Sequence, residues 1–233
     1  MDDSRTLYAG SSARTAERVS AFLTKVYGWM FIGLGITAAV AYFVASSPAL
    51  ISALMANRLV FFALVLVELG LVFFLSARVH SLQPGTAAGL FVGYAALNGV
   101  TLSLILLIYT GASIATTFIV TGAMFGALAV YGTTTSRSLA GAGQFFFMGL
   151  IGLVLASIVG VFWHSDALQF LITVVGVIVF TGLTAWDAQR LKQMALTLPD
   201  GQAGAYAVVG ALSLYLNFVN LFLMLLRLQG RRD

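Results

Sequence analysis

The chain has 233 residues, of which 60% are hydrophobic and only 9% charged, with a formal net charge of +4. Soluble domains carry about a quarter charged residues, so this composition excludes a water-soluble fold of this length and specifies a polytopic membrane protein. Cysteine is absent, which excludes a disulfide framework, a thiolate nucleophile and a Cys-ligated metal, and the basic residues sit at segment ends, where topology rather than nucleic acid accounts for them.

Residues 1–25 are polar and mixed in charge (Asp2, Asp3, Arg5, Arg14, Glu17, Arg18, Lys25) and read as a cytoplasmic N-terminal tail. A helix needs about 20 predominantly apolar residues to cross the hydrocarbon core. Seven stretches qualify, approximately 26–46, 58–77, 86–109, 112–133, 144–163, 167–186 and 205–227. The first is of full membrane length, which fits a retained span better than a cleaved signal peptide. Ser46-Ser47-Pro48 ends it, and the second span carries Glu68 midway along. Gln83-Pro84-Gly85 separates the second span from the third, where Tyr94, Asn98 and Thr101 recur at helical spacing. Thr110-Gly111 makes a very tight hairpin into the fourth span. Gly89 with Gly93, and Gly122 with Gly126, are small-xxx-small pairs, expected to let helix backbones approach closely.

A small-residue loop from Thr133 to Gly143 follows, and the sixth span is closed by Asp187, with Arg190 and Lys192 just beyond. After the Leu198-Pro199-Asp200-Gly201 turn, the last span places Ser213, Asn217 and Asn220 at i, i+4 and i+7, with Tyr206 and Arg227 extending the line. A helix surrounded by lipid would not carry two amides on one stripe, so this span is expected inside the bundle. Residues 228–233 form a basic C-terminal tail. The reading is an all-α membrane protein with one seven-helix domain over residues 26–227, and loops too short for a soluble catalytic domain.

Orientation follows the distribution of Lys and Arg. With the N-terminus cytoplasmic, the inside segments hold Arg5, Arg14, Arg18, Lys25, Arg78, Arg137, Arg190 and Lys192, and the outside loops hold only Arg58. Seven full spans would place Arg227, Arg231 and Arg232 outside, against the rule, which leaves the side of the tail open.

Only two of the eight acids, Glu68 and Asp187, lie within or at the end of long apolar segments. An acid near the bilayer centre costs roughly 2.5–3.5 kcal/mol, so it faces protein or a water-filled cavity and marks a functional site. Glu68 is too far from Arg78 for a direct bond, ten residues being about 15 Å along a helix. It reads either as an ion-path ligand or proton site, or as a neutral acid hydrogen-bonded to a neighbouring helix. Asn98, Ser213 and Asn220 are the further ion-path candidates, with interhelical hydrogen bonding as the plainer role. Phosphate-binding loops, H-E-x-x-H helices and G-x-S-x-G elbows are all missing, and His80 and His164 sit at segment ends far apart. No enzymatic activity and no cofactor are expected. Calcium held tightly would demand six to eight oxygen ligands, so one or two acids with amides suit transient passage and no tightly bound metal.

The segment Phe180 to Lys192, reading Phe-Thr-Gly-Leu-Thr-Ala-Trp-Asp-Ala-Gln-Arg-Leu-Lys, resembles the Bax inhibitor-1 (transmembrane Bax-inhibitor-motif) family. So do Gly210 to Arg227, Val26 to Met30, Leu75 to Arg78 and the short third-to-fourth hairpin. The resemblance covers essentially the whole membrane region and looks closest to bacterial inner-membrane members. It implies a bundle whose last helix is enclosed by the other six, and a pH-sensitive calcium leak with calcium ions in passage. In the family, an aspartate on the sixth span and another on the seventh share a proton. Together with a base near the end of the second span, they switch the pore. Asp187 matches the first aspartate, and Arg78 lies about where the base belongs. The resemblance also carries an alternative, an interaction protein regulating a membrane-bound protease or a stress response, for which the N-terminal tail would be the handle. The lipid bilayer is the one certain partner, and a monomer the favoured state.

One position departs from the family pattern: Asn217 stands where the second aspartate is usual. Two neighbouring carboxylates cannot both ionise cheaply and titrate as a unit, whereas an aspartate–asparagine pair has one titrating group and no second charge. A weaker pH response than in a two-aspartate relative is expected, or one displaced to lower pH. Leak measured against pH for the native chain and for Asn217→Asp should therefore give two distinct curves, and coincident curves would refute the expectation.

Overall fold

The computed structural model describes residues 3–163, 165–199 and 202–231, with side chains from residue 14 onward. His164, half of the Leu198–Gly201 turn and Arg232 lie outside the described residues. The chain forms α1 (Asp3–Ala45), α2 (Pro48–Ala56), α3 (Arg58–Arg78), α4 (Pro84–Leu102), α5 (Gly111–Thr134), α6 (Ala140–Phe162), α7 (Asp166–Thr197) and α8 (Ala203–Gln229). A 3-10 segment, Ser103–Leu107, tightens the end of α4, where Ser103 Oγ donates to the Val100 carbonyl at 2.7 Å. All of these but α2 are long and apolar enough to cross a membrane, giving the seven expected spans.

Helix starts carry the residues their chemistry requires. Asn57 Oδ1 accepts from Leu59 N–H at 2.9 Å, Thr110 Oγ1 from Ser113 N–H at 3.2 Å, and Ser165 Oγ from Leu168 N–H at 3.4 Å. Pro48 and Pro84 open α2 and α4, where a missing N–H costs nothing.

Three extents differ from the sequence expectation, each for a physical reason. The helix that forms the first span begins far upstream of residue 26 and runs through the polar lead-in, because an apolar window finds membrane length rather than helix length. The short α2 occupies the first outer loop and, at nine residues, cannot cross. On α7, the helix continues eleven residues past Trp186 to Thr197, so Asp187 lies within it rather than at its end. The extension is held by polar side chains that sew α7 to the α5–α6 loop. Gln189 Nε2 donates to the Arg137 carbonyl and Gln189 Oε1 accepts from Leu139 N–H, both at 2.8 Å, and Lys192 Nζ donates to the Thr133 carbonyl at 2.6 Å.

α8 is the central helix. It packs against α7, α1, α5 and α4, and more lightly against α3, while α6 packs chiefly on the outer side of α7. Of its apolar stretch 61% is buried, against 11% for α3 and for α6, which identifies it as the enclosed helix. The larger core cluster surrounds it, with Val26, Leu75, Phe91, Leu191, Leu212 and Tyr215 almost fully buried.

The two ends of the bundle sort cleanly. At one end Arg18 reaches the Leu198 carbonyl, Tyr206 bonds His80, and Lys192 bonds Thr133. At the other, Thr110 N–H donates to the Arg231 carbonyl at 3.1 Å, and Arg231 N–H to Ser113 Oγ at 2.9 Å. The side of the C-terminal tail, open in the sequence, is thus that of the third-to-fourth hairpin, opposite the basic loops.

The glycine pairs do not behave as the spacing suggested. A Cβ built on Gly89, Gly93, Gly122 or Gly126 would meet nothing within 4 Å, so none of these glycines is in close helix contact. Close approach occurs instead at single glycines. A Cβ on Gly99 of α4 would lie 2.7 Å from the Thr37 carbonyl oxygen of α1, and one on Gly132 of α5 would collide with the Ala185 carbonyl oxygen of α7. Both obstacles are backbone and cannot swing aside. Gly132→Ala should lower stability by about 1–3 kcal/mol, whereas Gly126→Ala should stay within about 0.5 kcal/mol of the native chain. Thermal unfolding of the two variants in one detergent checks the contrast.

Candidate functional site

The central helix presents a buried polar residue on each of two nearly opposite faces. Tyr215 and Asn217 are two positions apart on α8, about 200° around the helix and about 3 Å along it. Asn217 meets a buried acid directly, and Tyr215 reaches another through Asn98.

On the α7 face, Asn217 Nδ2 donates to Asp187 Oδ2 at 2.8 Å, and both side chains are buried. The other carboxylate oxygen, Oδ1, pairs with Arg190 at 3.2 Å, one helical turn on. The Arg190 guanidinium in turn lies over the Trp186 ring, 5.1 Å from its centroid, which steadies a cation by the ring quadrupole. These groups border a cavity of about 270 Å³ between α6, α7 and α8, together with Ser213 and Asn220. The i, i+4, i+7 stripe of Ser213, Asn217 and Asn220 therefore faces one space. Within it, Asn220 Nδ2 donates to the Leu216 carbonyl at 2.8 Å, and the Ser213 hydroxyl to the Val209 carbonyl at 3.5 Å.

On the opposite face, Tyr215 leads to Glu68. The Tyr215 hydroxyl donates to Asn98 Oδ1 at 2.9 Å, and Asn98 Nδ2 donates to Glu68 Oε2 at 3.2 Å. Thr101 Oγ1 lies 3.0 Å from Glu68 Oε1, completing the acid's partners on α4. The chain extends to α1, where Thr37 Oγ1 lies 2.6 Å from the Tyr215 hydroxyl and donates to the Ala95 carbonyl at 2.8 Å. Four helices are thereby joined by side chains that lipid could not satisfy. Glu68 is thus hydrogen-bonded to a neighbouring helix. Asn98 joins this network and not the Asp187 cavity, so the five candidates Glu68, Asn98, Asn217, Ser213 and Asn220 divide between two faces.

Arg78 is the sequence candidate that the structure does not bring to the site. It is the last residue of α3, its side chain is exposed, and α3 does not pack against α7. The base beside Asp187 is Arg190, whose i+3 spacing was visible in the sequence but was read only as a topology signal. Tyr215 and Thr37 were also missed as network members. Tyr215 lies inside the quoted motif, while Thr37 has no sequence signal, because its partners come from helices far away in the chain. Among the described residues no three His, Asp or Glu side chains gather as a metal site would need.

A seven-helix membrane protein with a buried central helix, linked by hydrogen bonds to one acid directly and to a second through an asparagine, is the class that fold and site define. The family model described as Inhibitor of apoptosis-promoting Bax1 matches residues 19–233. Inner membrane protein YbhL of Escherichia coli strain K12 is 49% identical over 214 residues, covering 91% of this chain and 92% of its own. An uncharacterized protein of Borreliella burgdorferi is 44% identical over 213 residues (91% and 92%), and one of Deinococcus radiodurans 41% over 226 residues (97% and 96%). The chain belongs to the Bax inhibitor-1 family and is a multi-pass inner-membrane protein.

Interhelical hydrogen bonds in membranes average about 0.6 kcal/mol and reach about 1.7 kcal/mol. Tyr215→Phe removes the hydroxyl between Asn98 and Thr37 with little change of shape, so a loss of about 1–2 kcal/mol is expected by the same measure. Unfolding of the purified variant in mixed detergent tests this, and native stability would show that the network is energetically idle.

Proposed function

We propose that this protein is a pH-sensitive, calcium-permeable leak conduit gated by protonation of Asp187. The observation that carries the reading is that both Asp187 carboxylate oxygens are engaged at once, one by Asn217 of the central helix and one by Arg190. The anion accepts both contacts as charge-assisted bonds. A protonated carboxyl has no charge to hold the guanidinium and needs an acceptor for its own O–H, so proton uptake loosens the α7–α8 link. The cavity beside this link supports the reading. Asp187, Ser213, Asn217 and Asn220 line it, and their side chains carry few enough oxygens to suit a divalent cation in passage and too few to store one.

Asn217 cannot titrate, so the switch in this chain works with one proton site. Arg190 takes the part of the base that the family resemblance would give to Arg78. Nothing in this scheme involves Glu68 directly; its network fastens the opposite face of α8 while the Asp187 face changes.

Purified protein in liposomes loaded with a calcium dye tests the proposal. Leak through the native chain should change with pH, and Asp187→Asn should make it insensitive to pH across the acidic-to-neutral range. Arg190→Ala should alter the pH profile, whereas Arg78→Ala should leave it unchanged. An unchanged profile in Asp187→Asn would overturn the gating role. No leak at any pH from correctly folded protein would overturn conduction itself and favour the alternative, an interaction protein acting on a membrane-bound protease.

A further inference from the structure

A cleft runs along the bundle between α1 and α5, over the Phe218 face of α8. α1 and α5 both pack on α8, yet they barely touch one another. Between them lie two connected apolar spaces of about 360 and 280 Å³, sharing Leu34, Phe118 and Phe218 as walls and floor. The inner one opens, past Leu23, Tyr27 and Thr133, into a wider mouth of about 1100 Å³ at the cytoplasmic end. Gly122 and Gly126 line the slot and face open space, so the small residues that do not pack helices hollow out this groove instead. The mouth differs in character from the slot. Thr15, Ser20, Thr24 and Thr133 line it, and Lys192 is the one charged residue along the whole cleft among the described residues.

We propose that this cleft binds a glycerophospholipid of the cytoplasmic leaflet, with one acyl chain in the slot and an anionic headgroup at Lys192. Three observations converge. The slot is lined almost wholly by apolar side chains and lies between two helices that barely touch, where acyl chains are the solvent. It is also narrow, since a spanning helix about 10 Å across and 30 Å long occupies on the order of 2,000 Å³, several times either slot volume. Finally, the charge fits. An ammonium has three donors and Lys192 spends one on the Thr133 carbonyl, which leaves two for phosphate oxygens. The cytoplasmic surface is also where the basic loops place this mouth.

The test is native mass spectrometry of the full-length protein extracted from vesicles of phosphatidylcholine and phosphatidylglycerol. The native chain should retain one lipid, with phosphatidylglycerol preferred. Gly122→Leu combined with Gly126→Leu fills the slot at positions with room for a side chain, and should cut retention about tenfold or more. Lys192→Gln leaves the slot open and should reduce the preference for phosphatidylglycerol about fivefold, with total lipid unchanged. If the double variant fails to fold, the Lys192→Gln result decides alone. Equal retention by the folded double variant, or an unaltered preference in Lys192→Gln, overturns the proposal. So does a native dimer that the double variant dissociates, which would make the cleft a protein interface.

Discussion

Lipid offers no hydrogen-bond partners, and α8 carries a tyrosine, two asparagines and a serine at membrane depth. That constraint organises the whole bundle. Every one of those groups must find its partner in protein, so the helix that bears them has to be surrounded, and its neighbours must bring matching groups. α7 brings Asp187, α4 brings Asn98, and α1 brings Thr37. The outer helices need no such matching, and α3 and α6 accordingly leave most of their surface to the bilayer.

This arrangement divides the molecule around α8 into regions with different chemistry. The α6–α7 side holds the Asp187 cavity, where a charged pair and two amides meet. The α3–α4 side holds Glu68 in a chain of hydrogen bonds that ends on backbone. The α1–α5 side is left open and apolar, floored by Phe218, the immediate neighbour of Asn217. Two residues adjacent in sequence thus line two different spaces, because successive side chains on a helix point about 100° apart. α7 is tied to the α5–α6 loop by Gln189 and to the end of α5 by Lys192, while its polar link to α8 is the Asn217–Asp187 bond. The Asp187–Asn217 contact therefore sits within a turn or two of side chains that anchor the same helix to α5 and the α5–α6 loop.

Much of the fold was legible in the chain. Span number, order and loops follow from runs of apolar residues long enough to cross a bilayer, and burial of α8 follows from amides spaced at i, i+4 and i+7. Asp187 and Asn217 were paired on the strength of the family resemblance, and their 2.8 Å contact agrees. The errors have a common origin. Glycine spacing says that a backbone is bare along one face and is silent on what lies opposite, so Gly122 and Gly126 were read as packing when they border empty space. Hydropathy says where water is excluded and is silent on where a helix stops, so α1 and α7 were both drawn too short.

Composition and periodicity by themselves determined the membrane class, the seven spans, the enclosed last helix and which two acids lie among apolar residues. These are local quantities: each depends on transfer free energy summed along one segment. That Arg78 stands away from Asp187, which residues complete the Glu68 network, where the C-terminal tail emerges and which helices fail to meet were decided only by the tertiary structure. Those depend on the rotation of each helix about its own axis and on pairings between residues more than a hundred positions apart, such as Thr37 with Tyr215, and no single segment encodes either.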